Sequence, residues 1–223
     1  MSMTRWIESL RNLPAARLIR SSATQAEGWW FDVTRHVQTS GYVPLDGLTL
    51  TGAGKSGFEY FPSRPAVARQ ALQHLPIQHH SEYTFVDLGS GMGRMLLLAA
   101  EYHFRKIQGV ELAVELHLQA QRNISRYRHK GRRCMDIESI NADVSEYRFP
   151  NGKLALYLFN PFGPEVLAKV LANLGASIAQ QPRHVIMTIL NPEFAFVADA
   201  TPYLRLYLQT RWFRIYQTDD PSI

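Results

Sequence analysis

The hydrophobic pattern of the chain switches repeatedly between a strand period and a helix period. Residues 83–88 (YTFVDL) form a short apolar run with one acid near its end, which predicts a buried strand. Runs of the same kind stand at 106–110, 135–142, 154–159 (LALYLF) and 183–190 (RHVIMTIL). Between them, apolar residues fall at helical spacing. Residues 95–102 and 164–172 predict helices. Residues 111–127 predict another, with Leu112, Leu116, Ala120 and Ile124 on one face. Two alternating segments, 203–208 and 212–217, predict a terminal antiparallel hairpin. Strand and helix therefore alternate until a final pair of strands. That order predicts an α/β fold on a mostly parallel, doubly wound sheet.

The N-terminal quarter follows a different pattern. Residues 3, 6, 7, 10, 13, 18 and 19 are apolar, with arginines between, and predict a helix with a bend at Pro14. Such a basic amphipathic helix is expected to pack on its own domain in preference to a membrane surface. Residues 26–41 (AEGWWFDVTRHVQTSG) predict a second helix, with Trp29, Trp30 and Phe31 as buried anchors. Residues 42–57 are glycine-rich and predict a loop. The GAGKSG within it is not a phosphate-binding P-loop, because Thr49 stands where the motif needs its first glycine. Residues 66–75 predict a helix with Val67, Ala71, Leu72 and Leu75 inward. The expected division is a helical, lid-like extension over 1–57 and a single α/β domain over 58–223.

Composition narrows the class. Of 223 residues, 46% are hydrophobic and 19% charged, as in a soluble globular protein. No run approaches the roughly 18 apolar residues of a membrane span. Arg5, Glu8, Arg11 and Arg17 interrupt the N-terminus, so no secretory signal is expected. One cysteine, Cys134, excludes an intramolecular disulfide and suits a reducing cytoplasm. The net charge of +5 is concentrated in one place: residues 105–133 hold eight Lys or Arg against two acids. A solvated helix end and loop explains this. An acidic protein, phosphate or nucleic acid could also use it, but Tyr127 is the only aromatic residue there and no nucleic-acid motif is present.

The chemistry concentrates after the 83–88 strand, in FVDLGSGMGR. Asp87, Gly89, Ser90, Gly91 and Gly93 make a tight turn with almost no side chains, leading from a strand into a helix. Such a turn lets a nucleotide-like ligand approach the backbone. Glu111 closes the next strand, where a carboxylate can accept bonds from two ribose hydroxyls. Asp143 and Val144 close the third strand, and Asn160-Pro161-Phe162 the fourth. Arg94 stands where the third glycine of a dinucleotide fingerprint belongs, which argues against a dehydrogenase. His74, His79 and His80 lack acid or cysteine partners at ligand spacing, so no metal site is expected.

With these four strand ends in order, the chain resembles the class I, seven-strand S-adenosylmethionine-dependent methyltransferases over roughly residues 58–218. VDLGSGMGR resembles their first motif, GVELAVELHLQA the second-strand motif, NADVSEY the third and LYLFNPFG the fourth. The resemblance implies a Rossmann-like sheet of seven strands with an N-terminal helical cap, and S-adenosylmethionine as cofactor. It implies that Asp87, Gly89, Ser90, Gly91 and Gly93 hold the methionine end, Glu111 the ribose, and Asp143 and Val144 the adenine. It implies that Asn160, Pro161 and Phe162 form the acceptor corner. That corner has one proline where the form familiar in amino-group methylation has two. FDVTRHVQTSG followed by FEYFP is similar to the leader of some bacterial members and of some protein lysine methyltransferases. It implies a cap over the methionine end, with Tyr60 as an acceptor-site contact. The expected acceptor is a nitrogen of a protein side chain or small molecule, with nucleic acid less favoured. A methyltransferase-fold protein that binds without catalysis is the alternative.

Overall fold

In the computed structural model the described residues are 14–44, 48–50, 60–159 and 162–219, with side chains described from residue 24 onward. The GAGKSG loop, the apolar positions 3–13, Asn160 and Pro161 lie outside them.

Seven strands form one sheet: β1 (Tyr83–Leu88), β2 (Lys106–Glu111), β3 (Ile137–Asn141), β4 (Lys153–Phe159), β5 (Val185–Leu190), β6 (Arg205–Gln209) and β7 (Phe213–Gln217). Their spatial order is β3-β2-β1-β4-β5-β7-β6. Pairing is parallel from β3 through β5, and β7 runs antiparallel to both β5 and β6. The chain leaves β1 to build β2 and β3 on one side, then crosses back to β4 on the other. This makes the carboxyl ends of β1 and β4 the switch point, where sheets of this kind open a crevice for ligands. β1 and β5 are buried along their whole length, as parallel strands covered on both faces must be.

Six helices are described: α1 (Pro14–Arg35), α2 (Pro65–Gln73), α3 (Arg94–Ala99), α4 (Val114–Arg126), α5 (Pro164–Gln180) and α6 (Ala195–Asp199). Inward residues of α2 and α3 (Ala68, Ala71, Leu72, Leu96 and Leu97) pack with Phe85, Ile107 and Tyr157 on one face of the sheet. Leu167, Val170, Leu171 and Leu174 of α5 pack with Val86, Leu88 and Leu156 on the other. The odd and even positions of β1 thus feed separate cores, as strand alternation requires.

Three expectations are corrected. The helix expected over 26–41 is the second half of α1, which ends at Arg35 as His36 takes φ 58°. Trp29 and Trp30 are not buried anchors: they are 61% and 64% exposed. The inner face of α1 is already filled by Phe31, Asp32 and Arg35, and two consecutive tryptophans cannot share that narrow stripe. The helix expected over 164–172 runs on to Gln180, through Gly175, because Leu174 continues its buried stripe. The ring of Tyr203 occupies the space a side chain at Gly175 would need. The short helix α6 has no counterpart in the expected elements.

Candidate functional site

β1 delivers the chain to a turn at the switch point. The backbone N–H groups of Gly89 and Ser90 both donate to Val110 O of β2, at 2.8 and 3.1 Å, which fastens the turn to the neighbouring strand. Gly89, Gly91 and Gly93 all take positive φ, at 84°, 53° and 82°. At Gly91 a side chain is excluded twice over: by this backbone, and by the Tyr60 ring, whose Cε2 would stand 2.2 Å from a Cβ. Gly109 of β2 serves the same turn from beneath, since a Cβ there would meet the Ser90 side chain at 2.6 Å. The Ser90 hydroxyl therefore points into β2, buried and without a partner among the described residues.

Glu111 is brought directly to the turn. Its Oε2 accepts from Gly91 N–H at 2.7 Å, and its Oε1 accepts from Ala113 N–H at 2.9 Å. Asn141, at the end of β3, donates to the backbone oxygens of Glu111 and Leu112. Asp87, the fifth residue of β1, is 3% exposed and accepts no hydrogen bond among the described residues. Burial, with the like charge of Glu111, holds its carboxyl well above the usual range. Burial also raises the Glu111 carboxyl, against the lowering effect of the backbone donors Ala113, Gly91 and Leu112. Two carboxylates thus face the turn with no cation beside them among the described residues. Such a pair favours a cationic ligand.

The remaining expected residues fall around this pair. Asp143 caps its own turn, its Oδ1 accepting from the backbone and hydroxyl of Ser145 at 2.8 and 2.7 Å. Val144 and Phe162 are buried in one apolar cluster with Leu88 and Val110, behind the ends of β1 and β2. Tyr60 is buried, with its hydroxyl donating to Thr39 O at 2.8 Å. It stands against the glycine turn, and its phenol is pushed upward by burial.

Comparison with known proteins then addresses the family. No protein-family model matches the chain, and no curated protein matches it by sequence. Solved structures do match. A predicted N6-adenine-specific DNA methylase from Listeria monocytogenes is 14% identical with a TM-score of 0.51, over 72% of this chain and 52% of that one. A possible methylase from Clostridium difficile 630 is 15% identical with a TM-score of 0.50, over 72% and 54%. This chain has the fold of the class I methyltransferases. A ribosomal protein L11 methylase from Lactobacillus delbrueckii subsp. bulgaricus is 14% identical with a TM-score of 0.48, over 69% and 77%. The chain spans about half the length of the first two. Within this methyltransferase fold, the glycine turn and Glu111 occupy the ends of the first two strands.

The role of one residue at the turn was not legible in the sequence. Arg94, the first residue of α3, is 4% exposed, and its guanidinium is fully engaged. Its partners come from residues 32–63, too far along the chain for any local pattern to reveal. No helix among the described residues is long and apolar enough to cross a membrane.

Proposed function

We propose that this protein is an S-adenosylmethionine-dependent methyltransferase whose acceptor is a nitrogen of a protein side chain or small molecule. One observation carries the cofactor: a buried carboxylate pair, Asp87 and Glu111, with no cation beside it among the described residues, on a glycine turn at the switch point of a methyltransferase fold. The residues fit the group. Asp87 would meet its ammonium. Glu111 would accept from the ribose hydroxyls beside its backbone donors. The Oδ2 of Asp143 and the apolar surface of Val144 would flank the adenine. Glycine at 91 leaves the backbone open to a ligand, with the Tyr60 ring as a wall.

When bound, the cofactor supplies a methyl group already activated on a cationic sulfonium. The chain's own task is alignment and exclusion of water. An amine acceptor must present a free lone pair. The Asn160 side-chain oxygen and the Pro161 carbonyl would accept its hydrogens and aim that lone pair. Phe162, which is buried, would form the floor. Asn160, in the place of the fourth-strand motif, supports nitrogen as the acceptor atom, while the single proline departs from the amino-group form.

Calorimetric titration with S-adenosylmethionine tests the cofactor. Saturable binding is expected, and none at millimolar ligand would sink the reading. Labelled methyl transfer in a cell lysate tests the acceptor: label in protein or small amines supports it, and label confined to nucleic acid or to oxygen esters overturns it.

A further inference from the structure

The glycine turn is held from outside the sheet. Arg94 Nε donates to Thr39 Oγ1 at 2.7 Å, Nη2 to Ser40 Oγ at 2.7 Å, and Nη1 to Ser63 O at 3.1 Å. Asp32 Oδ1 lies 3.8 Å from Nη2, and the guanidinium stands 5.5 Å from the Phe31 ring centre. Every one of these partners belongs to residues 31–63. Asp32 in turn accepts from Thr39 N–H, Thr39 Oγ1 and Ser40 N–H, at 2.9, 2.5 and 2.7 Å. The strap at 38–40 is therefore folded around one buried cation and one buried carboxylate.

The same strap touches the turn at two further places. Asn123 of α4, also buried, accepts from Gln38 N–H at 2.9 Å. Its amide donates to Gln38 O and to Met92 O, at 2.8 and 2.9 Å. Thr39 O receives the Tyr60 hydroxyl, whose ring lies on Gly91. Gly91 N–H is the donor to Glu111. A continuous chain of contacts thus runs from Arg94 through Thr39 and Tyr60 to the ligand-facing carboxylate.

We propose that Arg94 is a positioning residue that couples docking of the N-terminal segments 28–44 and 60–63 to the cofactor site. It touches no reacting group. It holds the segment that sets the Tyr60 ring against Gly91, and so the Gly91–Glu111 contact. The coupling rests on the methyltransferase reading; the docking does not. Because linkage is reciprocal, a cofactor that needs the docked segment must also favour its docking.

The test compares wild type with Arg94→Met and Arg94→Lys, by hydrogen exchange and by calorimetry with S-adenosylmethionine. In Arg94→Met, exchange over 36–44 should quicken about tenfold or more while β1 and β4 stay protected. Cofactor affinity should fall about tenfold or more, and saturating cofactor should restore protection over 36–44. The lysine variant should fall between, since one ammonium cannot reach all four partners. Should Arg94→Met fail to fold, Thr39→Val and Ser40→Ala each remove one acceptor and carry the same two readouts. Unchanged exchange over 36–44 would show that Arg94 does not hold the segment. Loosened exchange with wild-type affinity would show that docking and cofactor are uncoupled. No binding by the wild type overturns the methyltransferase reading and the coupling together, and the ligand-free exchange still decides the docking.

Discussion

A half-buried carboxylate, Glu101, and a buried carboxylate pair, Asp87 and Glu111, stand at opposite ends of the short helix α3, and their surroundings differ. Beyond its C-terminus, Glu101 is met by Arg35 at 2.9 Å, by both terminal nitrogens of Arg69, and by His129 at 3.5 Å. Burial pushes the Glu101 carboxyl up, but the hydrogen bonds from Arg69 and Arg35 outweigh it and hold it below its ordinary value. Before the N-terminus, Asp87 and Glu111 have no cation beside them among the described residues, and both are raised. Arg94 is near but turned away, spent on Thr39, Ser40 and Ser63. The first set completes its charge within the fold and joins α1 to the domain. The second leaves charge to be completed by something that arrives. A buried carboxylate with its cation is architecture; one without is a site.

Removing Glu101 breaks the comparison most sharply. Glu101→Ala leaves Arg35 buried without its counter-ion and should cost about 3 kcal/mol of stability, read by urea denaturation. A cost below 1 kcal/mol would mean the network is only a surface pair. Asp87→Asn should do the opposite. The apoprotein should keep or gain stability, because a desolvated charge is gone. Affinity for S-adenosylmethionine should fall about 10–100-fold, the value of a charge-assisted contact of about 1.5–3 kcal/mol. Unaltered affinity would remove Asp87 from the site.

A pH series separates the two sets with smaller effects. Asp87 and Glu111 hold protons more tightly folded than unfolded, so their contribution is full at low pH. It is lost as pH rises through their raised folded values. Glu101 runs the other way, contributing above its unfolded value and losing that as pH falls through its lowered one. Glu111→Gln and Glu101→Gln proteins, melted from pH 4 upward, should differ from wild type in opposite senses. Cofactor affinity should strengthen as Asp87 and Glu111 deprotonate; a flat profile would contradict the raised carboxyls. The smallest effect is expected at the outer face of α1. Trp30→Ala should change stability by less than about 0.5 kcal/mol, since the inner face holds the helix.

Much of the fold was legible because its signals are local. β1, β4 and β5 are continuous apolar runs, and each was placed within two residues of its observed bounds. The glycines and Glu111 were legible as well, because a turn with positive φ and an acid at a strand end are written in consecutive residues. The Trp29–Trp30 error has the converse cause. Large aromatic residues carry a strong burial signal, yet which side of a helix faces inward depends on what it packs against. Asp87 was visible as an acid, but its lack of a partner was not.

The sequence by itself determined the order of strands and helices, the glycine turn and the acids at the ends of β1 and β2. All of these follow from periodicity and from the conformational freedom of single residues. Only the tertiary structure decided that Glu111 accepts the Gly91 N–H, that Tyr60 lies on that glycine, and that Arg94 serves the N-terminal segment instead of Asp87. Those outcomes depend on groups 20 to 55 residues apart sharing one buried volume. In that volume each charge takes the partner that geometry brings within reach, and chain order does not specify which that will be.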